Sequence, residues 1–413
     1  MANPAKKILF ISYDGMTDPL GQSQVIPYLQ GLSRNGYKIF LLSCEKKQVY
    51  ATGKHIIVKM LAGYNIEWIT LGYTKKPPIL STVIDIRKLK HKAVQLHKQH
   101  SIDMVHTRPG VPALVGQWLK KKYGIKFLND IREFYADSRV DGKMWDLKNP
   151  LYKKVYNWFK KKETEQIELS DGIVCLTYAA ERIIRQWPAY NASIPLEVIP
   201  CSADLDLFDP AKITENEKNK AREQLQITTN DLIISYLGSI GGWYLTDEML
   251  QFCKVLSKKM PESKFLFISP HRHKDILQAA GNAGIALEKI FTVKANRQQV
   301  PLMLSLSNFS IFFIKPCYSK QSSSPTKHGE IMSMGIPLIT NSGVGDVAEI
   351  VKKYHSGLVM DGFTEDIYEK IASEIAAHKI FDKEEIKRGA KEFYSLEKAI
   401  EKYTRIYGSI LQH

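Results

Sequence analysis

Residues 322–339 read SSSPTKHGEIMSMGIPLI, and this stretch decides how the second half of the chain folds. Ser324 suits a helix N-cap and Pro325 the first helical position, where the absent N–H removes no hydrogen bond. Gly335 is typical of the residue just past a helix end, and Pro337 prevents the helix from continuing. The short apolar run that follows suits a strand. The stretch therefore predicts a loop, a short helix, a tight turn and a strand.

The same helix start is a candidate anion site. Free backbone N–H groups and the helix dipole attract phosphate there. Lys327 in the first turn opposes the dipole, which is unfavourable for the helix alone but suits a bound anion. An ordinary capped surface helix is the alternative, but two further lysines precede it and favour a phosphate or diphosphate site. The predicted donor-side residues of this stretch are Lys315, Lys320, Ser322, Ser323, Ser324, Pro325, Thr326 and Lys327.

Around this stretch, short apolar segments alternate with amphipathic ones. One series runs from KILFISY (7–13) to PLEVIPC (195–201), and a second from LIISYLGS (232–239) to SGLVM (356–360). Such alternation predicts parallel sheets covered by helices on both faces. The expected fold class is α/β, with two Rossmann-like doubly wound domains facing across a cleft.

The domain boundary is placed where a polar, irregular segment follows the first series. The prediction is a first domain at 1–201, a second at 202–385, and a C-terminal helix within 386–413 that packs back towards the first. The segment FYSLEKAIEKYTRIYGSIL (393–411) carries an aromatic stripe, which is expected to be core packing.

Composition is that of a soluble globular protein, with 413 residues, 44% hydrophobic and 24% charged. The five cysteines are scattered and lack metal-type spacing, so we expect a reduced, cytoplasmic protein without zinc. Asp14 comes too early for a signal peptide, and no stretch approaches the roughly 18 apolar residues of a transmembrane helix. An integral membrane protein is therefore not expected.

The net charge of +15 is unevenly distributed. Residues 1–200 contain 31 Lys and Arg against 17 Asp and Glu, whereas the remainder contains 27 against 26. Solvated helix faces explain many of the lysines, but an excess of +14 also favours acidic lipid headgroups or an anionic acceptor. Nucleic acid is not expected, because no helix-turn-helix, zinc-finger or RNP pattern is present.

Polar residues also follow several predicted strands. In parallel sheets the ligand lies at the carboxyl ends of the strands, so clusters at successive strand ends indicate a site. The first loop, YDGMTDPLGQSQ, also brings a glycine to a helix start, where a ligand can approach the backbone. The residues singled out in this way are Asp14, Gly21, Gln22, His106, Arg108, Asp130, Arg132, Glu133, Gly238 and Ser239.

Two other segments match known functional motifs. The sequence DLD (204–206) matches an Asp-x-Asp metal pattern, but it leads into the interdomain segment, so no metal is expected. The sequence GVGDVA (343–348) has the spacing of a dinucleotide fingerprint, with Asp361 further on. An NAD-dependent oxidoreductase is the alternative function that it favours, although the pattern does not follow the first strand of its domain.

Together the motifs resemble the group 1 (family 4) glycosyltransferases, which have the two-Rossmann-domain fold called GT-B. The matching segments are LGQSQVIPYLQGLSRNGYKIFLLS (20–43), DGIVCLT (171–177), VIPCSADLDLF (198–208) and SSPTKHGEIMSMGIPLITNSGVGD (323–346). The resemblance implies an acceptor-binding first domain and a nucleotide-sugar-binding second domain. It also implies transfer of a hexosyl-type sugar with retention and without a metal or other cofactor.

The resemblance assigns roles to individual residues. Glu330 matches the second glutamate of an E-x7-E motif and would bind the donor ribose, whereas Ser322 stands in place of the first. Arg108 stands in an H-x-H pair with His106. These departures keep open a catalytically silent nucleotide-sugar-binding protein of the same fold. The implied catalytic set is His106, Arg108, Asp130 and Lys327.

The expected partners follow from the resemblance and the charge. They are a nucleotide-sugar donor and a saccharide or lipid-linked acceptor of surface polysaccharide or glycolipid synthesis, held near Asp14, Gln22, Arg132 and Glu133. The basic first domain also predicts peripheral association with an anionic membrane at its inner face.

Overall fold

The computed structural model describes residues 5–77, 79–377 and 380–412. The chain divides into two compact units: unit 1 contains the residues up to Pro200 and those from Leu396 onward, and unit 2 is Cys201–Ser395. The boundary expected after residue 201 lies one residue from this division.

Unit 1 is built on one sheet of seven strands in the order β3-β2-β1-β4-β5-β6-β7, and every neighbouring pair is parallel. This order, with the first strand central, is that of a doubly wound Rossmann-like domain. The strands are β1 (Lys7–Ser12), β2 (Lys38–Glu45), β3 (Ile66–Gly72), β4 (Met104–Thr107), β5 (Lys126–Ile131), β6 (Gly172–Cys175) and β7 (Leu196–Val198). The helices that alternate with them are α1 (Pro19–Gln24), α2 (Ile26–Arg34), α3 (Lys47–Leu61), α4 (Leu80–His100), α5 (Val111–Tyr123), α6 (Tyr135–Asp141), α7 (Pro150–Leu169) and α8 (Tyr178–Arg185).

Unit 2 repeats this arrangement with six parallel strands in the order β10-β9-β8-β11-β12-β13. The strands are β8 (Leu232–Leu237), β9 (Ser263–Ile268), β10 (Ile290–Val293), β11 (Phe309–Ile311), β12 (Leu338–Asn341) and β13 (Gly357–Met360). The helices are α9 (Glu215–Leu225), α10 (Thr246–Lys259), α11 (His273–Ala283), α12 (Val300–Leu304), α13 (Thr326–Ser333), α14 (Val347–Lys353), α15 (Glu365–Ala376) and α16 (Lys383–Tyr394). Short 3-10 turns lie at Pro210–Lys212, Leu287–Lys289 and Tyr318–Ser322.

The predicted strand–helix alternation is confirmed in both units, with one omission. Strand β3 was not predicted from the sequence. Its residues are mostly half-buried rather than buried, because it lies at the edge of the sheet. An edge strand lacks the continuous apolar run by which the central strands are found.

The C-terminal helix differs from the expected one. Residues 393–411 were predicted as one helix, but α16 ends at Tyr394 and a last helix, α17 (Leu396–Gln412), follows Ser395. The chain breaks there because Tyr394 is buried in unit 2, whereas Tyr403 and Tyr407 are buried in unit 1. The aromatic stripe is core packing, as expected. Residues 386–395, however, belong to unit 2 rather than to the returning helix.

All strands within each sheet are parallel, so in each unit the loops that follow the strands meet at one edge. The central strands are buried, and their side chains fill the cores on both faces of the sheets. Polar side chains in the loops after the strands are therefore the ones that can meet a ligand. In the described part of the chain, no helix is both long enough and apolar enough to cross a membrane.

Candidate active site

The first helix turn that the sequence singled out holds a buried cation. Lys327, in the first turn of α13, is 9% exposed, and its Nζ has no hydrogen-bond partner among the described residues. The ammonium lies 3.8 Å from the ring centroid of Tyr244 and 4.6 Å from that of Tyr236. Aromatic faces attract a cation but do not neutralise it.

Burial lowers the pKa of Lys327 to about 7, although the nearby Glu330 carboxyl opposes that shift. Desolvation disfavours the charged form of a lysine, and an incoming anion restores it. The geometry therefore holds a cation that is incompletely stabilised by the protein alone. A phosphate group is the kind of ligand that would complete it.

The loop after β8 forms the wall opposite this ammonium. Gly238 has a φ of +118°, and a Cβ added there would lie 2.8 Å from the Lys327 Nζ. The backbone conformation at this position favours glycine, and the absent side chain leaves room for the ammonium. The hydroxyl of Tyr236 donates to the backbone oxygen of Ser239 at 2.5 Å, which holds the turn in place. Ser239 itself is exposed.

Glu330 lies one turn along α13 from the helix start and is almost fully buried. Its Oε1 accepts from Nη1 of Arg297 at 3.0 Å. Burial raises the pKa of Glu330, and the Arg297 guanidinium opposes that shift. Arg297 was not predicted as a site residue. It lies in the loop after β10, so the rule that ligands bind at the carboxyl ends of parallel strands would have pointed to it.

The loop before α13 brings a second lysine to the same wall. The Nζ of Lys320 lies 3.7 Å from the ring centroid of Trp243, the neighbour of Tyr244. The backbone N–H of Lys315 donates to the Trp243 oxygen at 2.9 Å, so this loop runs beside the loop after β8. The predicted grouping of lysines is therefore supported by adjacent rings that hold Lys320 and Lys327. Trp243 and Tyr244 were not predicted.

The serines of this loop have mainly internal roles. Ser322 is buried, and its hydroxyl donates to the Ser319 oxygen at 2.8 Å. The Ser324 hydroxyl accepts from the Cys201 N–H at 3.2 Å instead of capping a helix. The N-cap of α13 is Pro325, so the expectation of Ser324 as N-cap and Pro325 as first helical residue was wrong by one residue. The neighbouring Ser323, Pro325 and Thr326 are half-buried.

His328, the next residue of α13, was also not predicted from the sequence. It is fully buried, and its Nδ1 lies 2.8 Å from the Tyr394 hydroxyl. Burial lowers the pKa of His328 to about 3, so the imidazole is neutral. A neutral histidine behind Lys327 adds no competing positive charge to the site.

In unit 1 the predicted catalytic residues come together, but inside the unit. His106 and Asp130 are both buried, and Nε2 of His106 lies 3.2 Å from Oδ2 of Asp130. The same Oδ2 accepts from the Tyr403 hydroxyl at 2.8 Å, and the Tyr407 hydroxyl lies 2.7 Å from Nδ1 of His106. These side chains join strands β4 and β5 to helix α17. The contacts give them a structural role in holding that helix.

Two arginines complete this network. Arg132 donates from Nη1 to the Tyr403 hydroxyl at 3.1 Å and lies 3.7 Å from Oδ2 of Asp130. Arg108 is buried and contacts the backbone oxygen of Gln24 at 3.5 Å. Burial by itself would raise the pKa of Asp130, but Arg132 and the other basic groups hold it at about 2. The aspartate is therefore a charge neutralised within the fold.

The loop after β1 is fixed by a carboxylate that the sequence analysis did not identify. Glu45, buried at the end of β2, accepts from the Met16 N–H at 2.7 Å and from the Thr17 hydroxyl at 2.6 Å. Gly21 lies in α1, where an added Cβ would be 2.4 Å from the Gly15 oxygen. The packing of this loop thus explains the glycine.

The predicted acceptor residues are distributed between surface and interior. Asp14 is exposed, and Glu133 is half-buried and pairs with Arg139 at 3.2 Å. Gln22 donates from Nε2 to the Thr17 oxygen at 3.1 Å. Arg132 instead points into the buried network. Of the four, Asp14 is exposed, and Gln22 and Glu133 are half-buried.

The glycines of GVGDVA have a local role in unit 2. Gly345 donates its N–H to the Lys320 oxygen at 2.9 Å, and Nε2 of Gln321 donates to the Gly343 oxygen at 3.2 Å. The loop follows β12, the fifth strand of its unit in chain order, rather than the first. It therefore supports the lysine-bearing loop. Within the described ranges, no group of three His, Cys, Asp or Glu side chains is placed to hold a metal ion.

Comparison with known proteins identifies the family of unit 2. Residues 217–391 match the family described as glycosyl transferases, group 1. Among curated proteins, no sequence matches the chain.

Three solved structures share the fold of the whole chain. A glycosyltransferase from Rickettsia africae has a TM-score of 0.72 at 17% identity, with all of both chains covered. A sucrose-phosphate synthase from Thermosynechococcus elongatus has a TM-score of 0.71 at 14% identity, covering 98% of this chain and 99% of its own. Anabaena Alr3699/HepE in complex with UDP-glucose has a TM-score of 0.70 at 13% identity, with the same coverage. The chain thus has the GT-B fold. It is a glycosyltransferase that carries a group 1 domain over residues 217–391.

Proposed function

We propose that this glycosyltransferase moves a sugar from a nucleotide-sugar donor to a saccharide or lipid-linked acceptor, with retention and without a metal. The observation that carries the proposal is the buried ammonium of Lys327, which has no hydrogen-bond partner among the described residues and lies at the start of α13. A group that the protein leaves incompletely stabilised in this way is suited to a strongly anionic ligand. The diphosphate of a nucleotide sugar is such a ligand.

The chemistry of transfer places negative charge on the leaving nucleoside diphosphate. Preorganised cations and helix N–H groups stabilise such charge as it develops. Lys327 is held against Tyr236 and Tyr244, and Lys320 against Trp243, so both are oriented before the donor arrives. Because these cations can supply the stabilisation, the proposed reaction needs no divalent ion.

The donor ribose is proposed to bind Glu330. A carboxylate can accept hydrogen bonds from both hydroxyls of a vicinal diol. Glu330 lies on the same helix as Lys327. Arg297 opposes the rise in the pKa of Glu330 that burial causes. Retention at the anomeric carbon is taken from the resemblance to the group 1 enzymes, and the anomeric proton coupling of the product measured by NMR tests it.

The acceptor is proposed to bind unit 1, at the exposed Asp14 and the half-buried Glu133. The excess of positive charge in residues 1–200 favours an anionic acceptor or one carried by an acidic membrane. Synthesis of a surface polysaccharide or glycolipid is the process that such an acceptor fits. The same positive charge leads us to propose that the enzyme is located at the inner face of the membrane.

A donor panel tests the proposal. The protein is mixed with UDP-, GDP- and ADP-sugars, UDP-glucose first because the Anabaena structure of this fold holds it. Thermal stabilisation and slow donor hydrolysis are measured with and without EDTA. We expect at least one donor to stabilise the protein and EDTA to have no effect. No stabilisation by any donor would contradict the proposal, and loss of hydrolysis in EDTA would contradict metal independence.

Matched variants test whether the donor binds unit 2. Glu330→Ala should weaken donor binding, because the ribose loses its acceptor. The control is Glu349→Ala, an exposed glutamate on α14 of the same unit, which should bind like the original protein. Equal affinity in both variants would remove Glu330 from the site.

A further inference from the structure

One surface of unit 1 exposes large apolar side chains that the proposed donor and acceptor sites do not use. Met144, Leu147, Leu151 and Trp158 are 51%, 36%, 55% and 46% exposed. They lie in the loop before α7 and in the first half of that helix, and we call this the α7 surface. Single exposed apolar residues are normal, but several within one short segment mark an interaction surface.

The orientation of α7 is fixed by its inner face. Phe159 and Ile167 are buried in the cores of unit 1. Lys160 pairs with Asp137 of α6 at 2.8 Å, and the Tyr156 hydroxyl donates to the same aspartate at 2.8 Å. Leu151 and Trp158 are seven residues apart, which places them on one face two turns apart. That face is held outward by the packing of the other.

The α7 surface is also strongly basic. Its exposed charged residues are Lys143, Asp146, Lys148, Lys153 and Lys154. Four lysines against one aspartate leave an excess of three positive charges. In the described part of the chain, none of these four lysines forms an ion pair, in contrast to Lys160 and Lys162 of the same helix. Unpaired lysines between exposed apolar side chains suit a partner that is anionic at its surface and apolar beneath.

We propose that the α7 surface docks on an anionic lipid bilayer. The four apolar side chains would enter the boundary between headgroups and acyl chains, with Trp158 at the interface that tryptophan favours. The lysines would lie among the lipid phosphates, which attract their positive charges. Nucleic acid would use the lysines but leaves Met144, Leu147 and Leu151 without a partner, so it fits the surface less well.

The position of this surface along the chain suits the acceptor of the proposed function. Helix α6 ends at Asp141, and the surface begins two residues later. Glu133, the proposed acceptor residue, lies in the loop between β5 and α6, just before that helix. The link between the docking surface and a lipid-linked acceptor rests on the proposed function. The docking itself does not, because vesicle binding is measured without donor or acceptor.

A second exposed apolar pair provides a matched control. Ile56 and Val58 of α3, also in unit 1, are 45% and 52% exposed and lie near Lys54 and Lys59. If general apolar exposure and charge were sufficient, α3 would bind lipid equally well. It lacks an exposed tryptophan, and it exposes fewer large apolar side chains than the α7 surface.

The test is cosedimentation of the full chain with vesicles of phosphatidylcholine alone or mixed with phosphatidylglycerol, at low and high salt. We expect binding only with phosphatidylglycerol and weaker binding in high salt. The double variant Leu151→Ser and Trp158→Ser should lose at least tenfold in partition, because two large apolar side chains are no longer transferred from water into the bilayer. The control Ile56→Ser and Val58→Ser should bind like the original protein.

A second variant tests the charges without changing the apolar residues. Lys153→Gln with Lys154→Gln should weaken binding several-fold and reduce its salt dependence. Binding to phosphatidylcholine alone, loss of binding only in the α3 variant, or unchanged binding in both α7 variants would overturn the proposal. Displacement of the vesicles by single-stranded RNA at the same lysines would also overturn it.

Thermal melting of every variant is measured with and without the best donor of the panel. The melting transition without donor shows that each variant is folded, and the shift caused by the donor separates the two proposals. Vesicle binding without donor stabilisation would reject the proposed function and retain the docking surface. Donor stabilisation without vesicle binding would reject the docking surface and retain the proposed function.

Discussion

Each unit buries ionisable side chains that the sequence marked as catalytic, but the two sets differ in what they contact. In unit 1, Asp130 shares its carboxylate with His106, Tyr403 and Arg132. In unit 2, the Lys327 ammonium touches aromatic rings and has no hydrogen-bond partner among the described residues. One set is neutralised by the fold, whereas the other is the set that we propose to bind the donor.

The difference shows that burial and charge do not by themselves indicate a catalytic group. A buried charge that has partners strengthens a structure, and removing one partner leaves the others uncompensated. A buried charge without a partner costs stability, so it persists where a ligand uses it. The two sets should therefore respond to mutation in opposite ways.

The largest expected effect is on stability in unit 1. Asp130→Asn should lower the free energy of unfolding of this unit by about 3–5 kcal/mol, because Arg132 loses its counter-charge inside the protein. Urea denaturation measures it. The control is Glu181→Gln, which removes an exposed pair with Arg185 and should cost at most about 1 kcal/mol. Equal losses in the two variants would remove the structural role that we assign to the network.

The next effect is on donor binding in unit 2. Lys327→Met should weaken donor affinity about 10–100-fold, because a charge-assisted hydrogen bond contributes about 1.5–3 kcal/mol. Its melting temperature should stay equal or rise, since methionine removes a buried, unpaired charge. Calorimetric titration and thermal melting measure the two. The matched control is Lys258→Met, an exposed lysine on α10. Lower stability with unchanged affinity would make Lys327 a structural residue.

The third effect is a pH dependence that runs in opposite directions for binding and stability. The pKa of Lys327 is lowered to about 7, so above pH 7 the free protein loses the charge that we propose to bind the donor. The dissociation constant for a nucleotide sugar should rise with pH, by up to about tenfold per pH unit. The free energy of unfolding should rise between pH 7 and about 10.4, because the unfolded lysine binds a proton that the folded one has lost. Both slopes should disappear in Lys327→Met, and a slope that persists there would assign the titration to another group.

The smallest effect concerns the partner of Glu330. Arg297 is about half exposed, and exposed pairs contribute roughly 0–1 kcal/mol, so Arg297→Gln should weaken donor binding only a few-fold. Because burial then raises the pKa of Glu330 unopposed by this guanidinium, the loss should be greater at acidic pH. Titration calorimetry at two pH values measures it, with Arg297→Lys as the charge-retaining control. A loss that is the same at both pH values would argue against an effect through Glu330.

Much of the fold could be predicted because it depends on local patterns. Apolar strands that alternate with amphipathic helices predict parallel sheets whichever residues lie at the edge, and both sheets have the predicted character. The edge strand β3 escaped prediction because half-buried residues give no continuous apolar run. The break at Ser395 escaped because the helical pattern continues through it while the packing partner changes.

The site was predicted only in part, for a similar reason. The helix-start lysine and Glu330 have a local sequence pattern, and the structure places them together on α13. Arg297, Trp243 and His328 have none, because their roles come from neighbours that are distant in the chain. His106 and Asp130 were correctly grouped, but the sequence could not show that they face α17.

The sequence by itself determined the strand–helix alternation, the glycine at position 238 and the basic character of residues 1–200. Each follows from short-range spacing or from composition. Only the tertiary structure decided which buried charges have partners, and which lysines of α7 stand unpaired beside exposed apolar residues. The physical reason is that the free energy of a charge depends on every group around it, and the fold brings those groups from strands and helices far apart in the chain.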